Sequence, residues 1–524
     1  MKNHSIICAL QNPAAYPHPV ADIRLFETHI SWVLLTGEFV YKIKKPVDFG
    51  FLDFSTLEKR HFYCEEELRL NRRLAPQLYL AVVPVTGSPE MPRLGGSGTP
   101  LEYAVKMRQF DPRQTFDELL ERGALSVSLM EQTAGTLAEF HQRIAVSTPN
   151  DDFGTPDAIW NPVNENFIQV DKCINSQSFM AAIRETSHHL HQWSQTQHEK
   201  LRAVFAQRKK DGFVRECHGD LHLRNIVLWH DQVVPFDGIE FSPQLRWIDV
   251  MSELAFLLMD LDDHQQQTLS RPLLNRYLSL CGDYGGLATL RYYQVYRAMV
   301  RAKVAGLRLS QLDDASKIAQ NQQQIHNYIQ LADKYTRPDR VRLIITHGLS
   351  GSGKSYLSRE LARHFDVIHL RSDVERKRLF GLSELTHSES GLNTGIYAND
   401  ATRATYQRLY TLADICLHSG FSVLVDATFL QYEQRTRFFS LAQQLACPFV
   451  ILDCQADENI LRQRVKQREQ QGTDASEANL RVLEKQLTEQ QPLTDEENKY
   501  ALHIDTVEEI DVAVLAHRLN NIQQ

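Results

Sequence analysis

Two short runs, ISWVLLT and EFVYKIK at residues 30–44, alternate β-branched or aromatic residues with polar ones on either side of Gly37-Glu38. This pattern predicts a β-hairpin. From Thr56 to Leu74 apolar residues recur at helical spacing among charged ones, and Pro76 stops the stretch, so a helix should follow the hairpin. PEMPRLGGSGTP reads as a loop and LEYAVKMRQF as a strand that Asp111-Pro112 breaks. Residues 1 to about 110 are thus expected to form a mostly β small lobe with one helix. From Phe116 to about Leu331 the pattern is mainly helical, interrupted between Cys217 and Phe241, which predicts a larger helical lobe. Residues 311–338 are polar and Gln-rich, and the apolar run VRLIIT then opens a new pattern. The domain boundary is therefore expected near Arg337, giving domains 1–336 and 337–524. In the second domain VRLIIT, FDVIHL, FSVLVDA and PFVILD alternate with helical stretches, the signature of a parallel sheet with right-handed crossovers.

A length of 524 residues suits three or four core-sized units, so two domains, one of them bilobal, fit it. A net charge of −8 excludes a global basic field of the kind that drives nonspecific nucleic-acid binding, though not a local basic groove. The eight cysteines are scattered without a CxxC pair or zinc-like spacing, and reduced thiols are the simplest expectation. Ile6 to Leu10 is too short for a signal-peptide core, and no run reaches eighteen apolar residues. The expectation is a cytoplasmic protein without a membrane partner.

GLSGSGKS, Gly348 to Ser355, fits GxxxxGK[ST] and lies between a predicted strand and a helix expected to begin near Tyr356. Gly348, Gly351 and Gly353 let the backbone N–H groups turn inward around phosphate oxygens, and the helix N-terminus adds favourable potential. Lys354 would reach the β- and γ-phosphates of ATP, and Ser355 would bind Mg²⁺. Two aspartates follow at strand ends, where doubly wound sheets place their chemistry. Asp426 suits the Mg²⁺ ion or its water shell, and Asp373 suits a base for an attacking hydroxyl, with Arg376 on the same helix face to hold an anionic group. An aspartate after a strand also serves as a simple helix cap. Farther on, Arg464 and Arg468 stand four apart beside QQGTDAS, the pattern of a flexible lid whose arginines close over phosphate.

The second constellation is CHGDLHLRNIVLW followed by VVPFDGIEF. His218, Asp220 and Asn225 fit HxDxxxxN, and Asp237 ends an apolar strand twelve residues after Asn225. Phosphoryl transfer needs positioning and charge more than covalent help. Asp220 can take the proton of an acceptor hydroxyl, while Asn225 and Asp237 hold Mg²⁺ on the ATP phosphates. The hairpin offers a lysine for the α/β-phosphates, and the helix with Glu65, Glu66 and Glu67 offers its counter-ion. Strand alternation puts Lys42 and Lys44 on one face, so the pattern alone leaves both open.

The order of P-loop, S-D-V-E-R, V-D-A-T-F and an Arg-bearing lid over about residues 341–520 resembles the P-loop kinases that include polynucleotide 5′-kinases and zeta-toxin-like kinases. HGDLHLRN resembles the catalytic loop of aminoglycoside phosphotransferases and of choline and fructosamine kinases, which share the protein-kinase fold; that resemblance spans about residues 20–330. It implies Lys42 as the strand lysine, Glu67 as its partner, Asp220 as base, and Asn225 and Asp237 as metal ligands. With YKIKKPVDFGFLDFSTLEKR and TGIYANDATRATY as landmarks, the whole chain is similar to a bacterial family of fused aminoglycoside-phosphotransferase-like and P-loop ATP-binding proteins. The implied fold is α+β and α/β, a bilobal protein-kinase-like fold followed by a P-loop parallel-sheet kinase domain. The hairpin lacks GxGxxG and has only the turn Thr28 to Ser31, and no acidic surface for polycationic drugs is evident. The expected function is a bifunctional ATP- and Mg²⁺-dependent phosphotransferase for small-molecule hydroxyls, with nucleic acid not expected as the principal substrate. The alternative is a P-loop enzyme regulated by a ligand-binding N-terminal domain.

Overall fold

The computed structural model describes residues 2–50, 52–175, 181–309, 312, 314–337, 340–384, 386, 398–471, 476–508 and 510–522. Most of QQGTDAS, expected to be flexible, and the start of TGIYANDATRATY lie outside the described residues.

The small lobe is an antiparallel sheet of β1 (Arg24–Glu27), β2 (Ser31–Leu35), β3 (Phe39–Lys44), β4 (Tyr79–Ser88), β5 (Met91–Leu94) and β6 (Glu102–Arg108) in the order β1-β2-β3-β6-β4-β5. The predicted hairpin is β2–β3, with Val33 opposite Lys42. The helix Leu57–Asn71 starts where Thr56 Oγ1 accepts a hydrogen bond from Lys59 N, and it packs Cys64 and Leu68 with Val40, Val105 and Met107. Two elements correct the sequence reading. PEMPRLGGSGTP is not all loop, because β5 pairs with β4 there. Pro92 is tolerated because β5 is the sheet's edge. A second helix, Lys2–Ala9, brings Ile6, Ile7 and Leu10 against Trp32, Leu34, Tyr41 and Ile43. Eight residues carry too few turns for its periodicity to stand out.

In the large lobe β7 (Val214–Glu216) pairs with a later strand, β8 (Ile226–Trp229) and β9 (Gln232–Pro235) form a hairpin between Asn225 and Asp237, and β10 (Trp247–Asp249) is the partner of β7. The helix Val250–Asp263 is buried from Val250 through Leu261 and forms the lobe's centre. Around it lie the helices Val127–Arg143, Gln267–Cys281 and Leu287–Leu309. The Gln-rich stretch is itself a helix, Ala315–Thr336, which buries Ile325, Tyr328, Ile329 and Ala332 and leaves its glutamines outward.

After that helix comes a five-stranded parallel sheet of β11 (Leu343–His347), β12 (Ile368–Arg371), β13 (Val423–Asp426), β14 (Phe449–Gln455) and β15 (Ala501–Asp505), ordered β12-β13-β11-β14-β15. Four strands match the apolar runs read from the sequence. β15 was not read, because ALHID is a half-exposed edge strand without the continuous apolar run of a strand buried on both faces. Helices of the large lobe and one face of this sheet share a continuous apolar core. At the junction Asn275 Nδ2 donates to Val367 O at 3.0 Å, its Oδ1 accepts from His369 N at 2.7 Å, and Arg291 donates to Gly420 O.

Candidate functional sites

β3 delivers Lys42 and Lys44 to the same buried face, and both reach one glutamate. Lys42 Nζ lies 2.8 Å from Glu67 Oε1 and 2.6 Å from Asp237 Oδ1, whereas Lys44 Nζ lies 2.7 Å from Glu67 Oε2 and also contacts Glu240. Glu67 is fully buried, so it is not a solvated helix face. Only Lys42 reaches Asp237, which separates the two lysines that strand alternation leaves equivalent. Burial pushes the Lys42 ammonium down, but Asp237 and Glu67 outweigh it and hold the group well above the ordinary lysine range. Burial likewise opposes the Glu67 charge, and the two lysines pull its carboxyl below the usual carboxylate range. Glu240, with less compensation, is pushed up by burial.

The residues of the HxDxxxxN segment and Asp237 converge on this cluster from the large lobe. Asp237 sits at φ +64°, a left-handed conformation that aspartate tolerates better than most residues. Its N–H donates to Tyr79 Oη, and the N–H of Gly238 donates to Asn71 Oδ1 at 2.8 Å, so the small lobe holds the turn. Asn225 Nδ2 donates to Asp220 Oδ2 at 3.1 Å and to Asp220 O at 3.0 Å. Burial pushes the Asp220 carboxyl up, but His222, His218 and Arg301 outweigh it and keep the group ionised. His218 Nε2 donates to Phe236 O at 2.8 Å; a carbonyl only accepts, so Nδ1 is free to accept the Asp220 N–H. The N–H of His218 in turn donates to both oxygens of buried Glu253, beside His141 and Cys217. Across the lobes Arg69 and Arg246 share Glu66 and Glu216. The turn Thr28 to Ser31 closes with Ser31 N donating to Thr28 Oγ1.

The second site surrounds the loop between β11 and the helix Lys354–His364, which begins two residues before the predicted Tyr356. Gly348 has φ +139°, and a Cβ there would lie 2.5 Å from Cys454 O, so backbone packing as well as phosphate geometry demands glycine. A cleft of about 390 Å³ brings together Gly351, Gly353, Lys354, Ser355, Asp373 and Arg376 with Asp426, Arg464 and Arg468. Lys354 Nζ donates to Leu349 O at 2.6 Å, curled over its own loop, and burial pushes its ammonium down. Asp426 is buried at the end of β13; burial pushes its carboxyl up, but His369, Arg371 and Ser355 hold it below the usual range. Arg376 donates to Thr402 Oγ1 at 3.2 Å. Arg464 donates to Thr506 Oγ1 and Thr506 O at 3.0 and 2.7 Å, and Arg468 donates to Ala478 O at 2.7 Å.

Sequence reasoning missed Glu240, Tyr79, Asn71, His369 and Thr402. Glu240 stands three residues after Asp237 in FDGIEF, a signal that was present. Tyr79 and Asn71 act through contacts more than 150 residues distant, which no local pattern encodes.

Both sites have hard oxygen donors that suit Mg²⁺. The second carboxylate oxygen of Asp237 with the amide oxygen of Asn225, and Ser355 Oγ with Asp426, would hold it; the ion would neutralise phosphate charge.

The chain has a protein-kinase-like fold followed by a P-loop fold, mixed α/β. Residues 343–493 match the family described as AAA domain. Uncharacterized proteins of Mycobacterium tuberculosis (strain ATCC 25618 / H37Rv) and Mycobacterium bovis are each 30% identical over 466 residues, 88% of this chain and 89% of each relative. The chain belongs to the family of these mycobacterial proteins. Among solved structures it is similar to a putative kinase from Chloroflexus aurantiacus, at 22% identity over 36% of this chain and 100% of that one, TM-score 0.29. It is also similar to a choline kinase from Cryptosporidium parvum, at 11% identity over 64% of this chain and 95% of that one, TM-score 0.40. Among the described residues no helix is long and apolar enough to cross a membrane.

Proposed function

We propose that the chain is a bifunctional, cytoplasmic, Mg²⁺-ATP-dependent phosphotransferase, with one hydroxyl-phosphorylating site in residues 1–336 and another in residues 337–524. The observation that carries this reading is that Lys42, Glu67 and Asp237 meet in one ion-pair cluster, while Lys354, Ser355, Asp373 and Asp426 share a separate cleft. On this reading each unit has its own phosphate-binding cation, acidic metal ligand and base.

In the first site the ionised Asp220 accepts the proton of the acceptor hydroxyl as its oxygen attacks the γ-phosphoryl group, and Lys42, fixed by Glu67, meets the α/β-phosphates. In the second, Asp373 plays the base, Lys354 swings from its loop carbonyl to the β/γ-phosphates, and Arg376, Arg464 and Arg468 carry positive charge to the transferred group. The chain's net charge of −8 favours small-molecule acceptors over nucleic acid in both sites.

A metabolite extract incubated with labelled ATP tests this, using the intact chain, Asp220→Ala and Lys354→Ala. Two labelled products are expected, each lost in one variant only. Loss of every product in Lys354→Ala would leave one kinase with an attached regulator, a reading that the continuous core between the units favours. A 5′-hydroxyl oligonucleotide labelled faster than any small alcohol would overturn the choice of acceptor.

A further inference from the structure

Between the two units lies a cleft of about 460 Å³ that neither proposed reaction uses. Its charge is one-sided. The large lobe contributes Arg271 and Arg291, the end of the Ala315–Thr336 helix and the residue after it contribute Lys334 and Arg337, and the approach to β11 contributes Arg340 and Arg342. Among the described residues only Asp262 and Asp366 line it with carboxylates. Asp262 already accepts hydrogen bonds from Tyr335 Oη at 2.7 Å and Ser270 Oγ at 2.9 Å, and Arg337 is paired outside the lining with Asp333. Among the described residues, six cations against these three acids leave an excess of positive charge in a chain whose net charge is −8. Like charges gathered at a domain junction repel, and a bound anion relieves that repulsion.

The walls add shape to the charge. Arg291 lies over the Phe421 ring and Arg342 over the Phe365 ring, at 5.0 and 5.9 Å from the centroids, so aromatic faces hold both guanidinium groups in place. Arg271 donates to Arg363 O at 3.4 Å and lies 4.0 Å from Asp366 Oδ1. Planar, pre-oriented guanidinium groups match phosphate oxygens better than mobile ammonium groups do. A space of this volume is in the range of small-ligand sites and takes several phosphoryl groups.

We infer that the interdomain cleft binds a small molecule carrying several phosphoryl groups, at a site separate from both reaction centres. Because its lining comes from both units and from the segment joining them, occupancy would fix their relative position.

Phenylglyoxal labelling of arginines in the full chain, read by peptide mass spectrometry, tests this with two probes, inorganic triphosphate and a nonhydrolysable ATP analogue. At least tenfold slower labelling of Arg340 is expected with one or both. Protection by triphosphate alone assigns recognition to the phosphates, and protection only by the analogue assigns it to a nucleotide. Arg271→Gln should raise the half-protecting concentration at least tenfold, and Lys354→Ala should leave it within twofold. Should Arg271→Gln fail to fold, Arg337→Gln replaces it with the same expected direction. Unchanged Arg340 labelling with both probes, protection indifferent to the cleft variants, or protection abolished by Lys354→Ala would each overturn the inference.

Discussion

The two sites are built in opposite ways. The P-loop site is largely local: eight consecutive residues bend around the phosphate position, and the flanking strand and helix are adjacent in sequence. The kinase-like site is assembled from afar, with Lys42 and Asp237 separated by 195 residues and Lys44 and Glu240 by 196. A local site survives as long as its loop is packed. A distributed site exists only when two lobes are docked, so the ion pairs that build it also hold the lobes together.

The largest effect should come from charge at the transferred phosphate. Lys354→Ala is expected to lower turnover in the P-loop site by about 10³-fold or more, the scale of losing a preorganised transition-state charge, while transfer at the first site changes less than twofold. Asp220→Asn should do the reverse and leave ATP affinity within a few-fold, because a base acts on the acceptor. Product assays with both variants check this. If Asp220→Asn and Asp237→Ala weaken nucleotide binding equally, the separation of base from metal ligand is wrong.

The second effect belongs to the distributed site alone. Glu67→Ala leaves Lys42 and Lys44 buried with less counter-charge, and removing one partner of a buried pair destabilises by about 3–5 kcal/mol. Denaturant unfolding should show that loss in the kinase-like unit, accompanied by lost activity there. A variant that is inactive yet as stable as the parent would mean that the network positions ATP without holding the lobes.

This difference also governs what could be read beforehand. GLSGSGKS was legible because its chemistry and its fold are the same short segment. HxDxxxxN and Asp237 were legible as motifs, but the choice between Lys42 and Lys44 was not, since alternation gives them one face and only tertiary contacts distinguish them. Glu67 stood among three consecutive glutamates, and its burial depends on packing against the sheet. β5 and β15 were missed because both are edge strands, whose exposed half carries little apolar signal. The interdomain cleft had no sequence signature at all, since its arginines come from three separate stretches.

Acid should also weaken the kinase-like unit. Burial pushes the Glu253 carboxyl up, but His141, His218 and the His218 N–H outweigh it and bring it down to about 2 from an ordinary 4.5. With the folded value the lower one, the unfolded chain binds more protons between those limits. Stability is therefore fully present above about pH 4.5 and is lost as pH falls towards 2, by about 3 kcal/mol for this group. Glu67 acts in the same direction. Melting temperatures between pH 6 and 3 should fall less steeply in Glu253→Gln than in the parent, since the variant has already lost the ionised carboxylate; equal slopes would refute the assignment.

The smallest effect is expected at the rim of the local site. Arg464 is held by Thr506 through both the side-chain hydroxyl and the backbone carbonyl, and its Nη1 also approaches Gly351 O at 3.4 Å. Thr506 Oγ1 itself donates to Gln455 O at 3.1 Å, so its hydroxyl links the end of β14 to the arginine. Thr506→Val preserves shape and removes those hydroxyl bonds, leaving the Arg464–carbonyl bond in place. The residue is half-buried and each of the two side-chain hydrogen bonds contributes about 1 kcal/mol, so the melting temperature should drop by only a few degrees. Turnover at the P-loop site should change less than threefold, because in the proposed reaction Arg464 leaves this tether to meet transferred phosphate, and a weaker tether neither supplies nor removes the charge. Arg464→Ala, which removes the charge, should cost at least tenfold. Comparing the two variants in one assay decides the matter: equal losses would make Thr506 part of the positioning machinery, whereas loss in neither would remove Arg464 from the site.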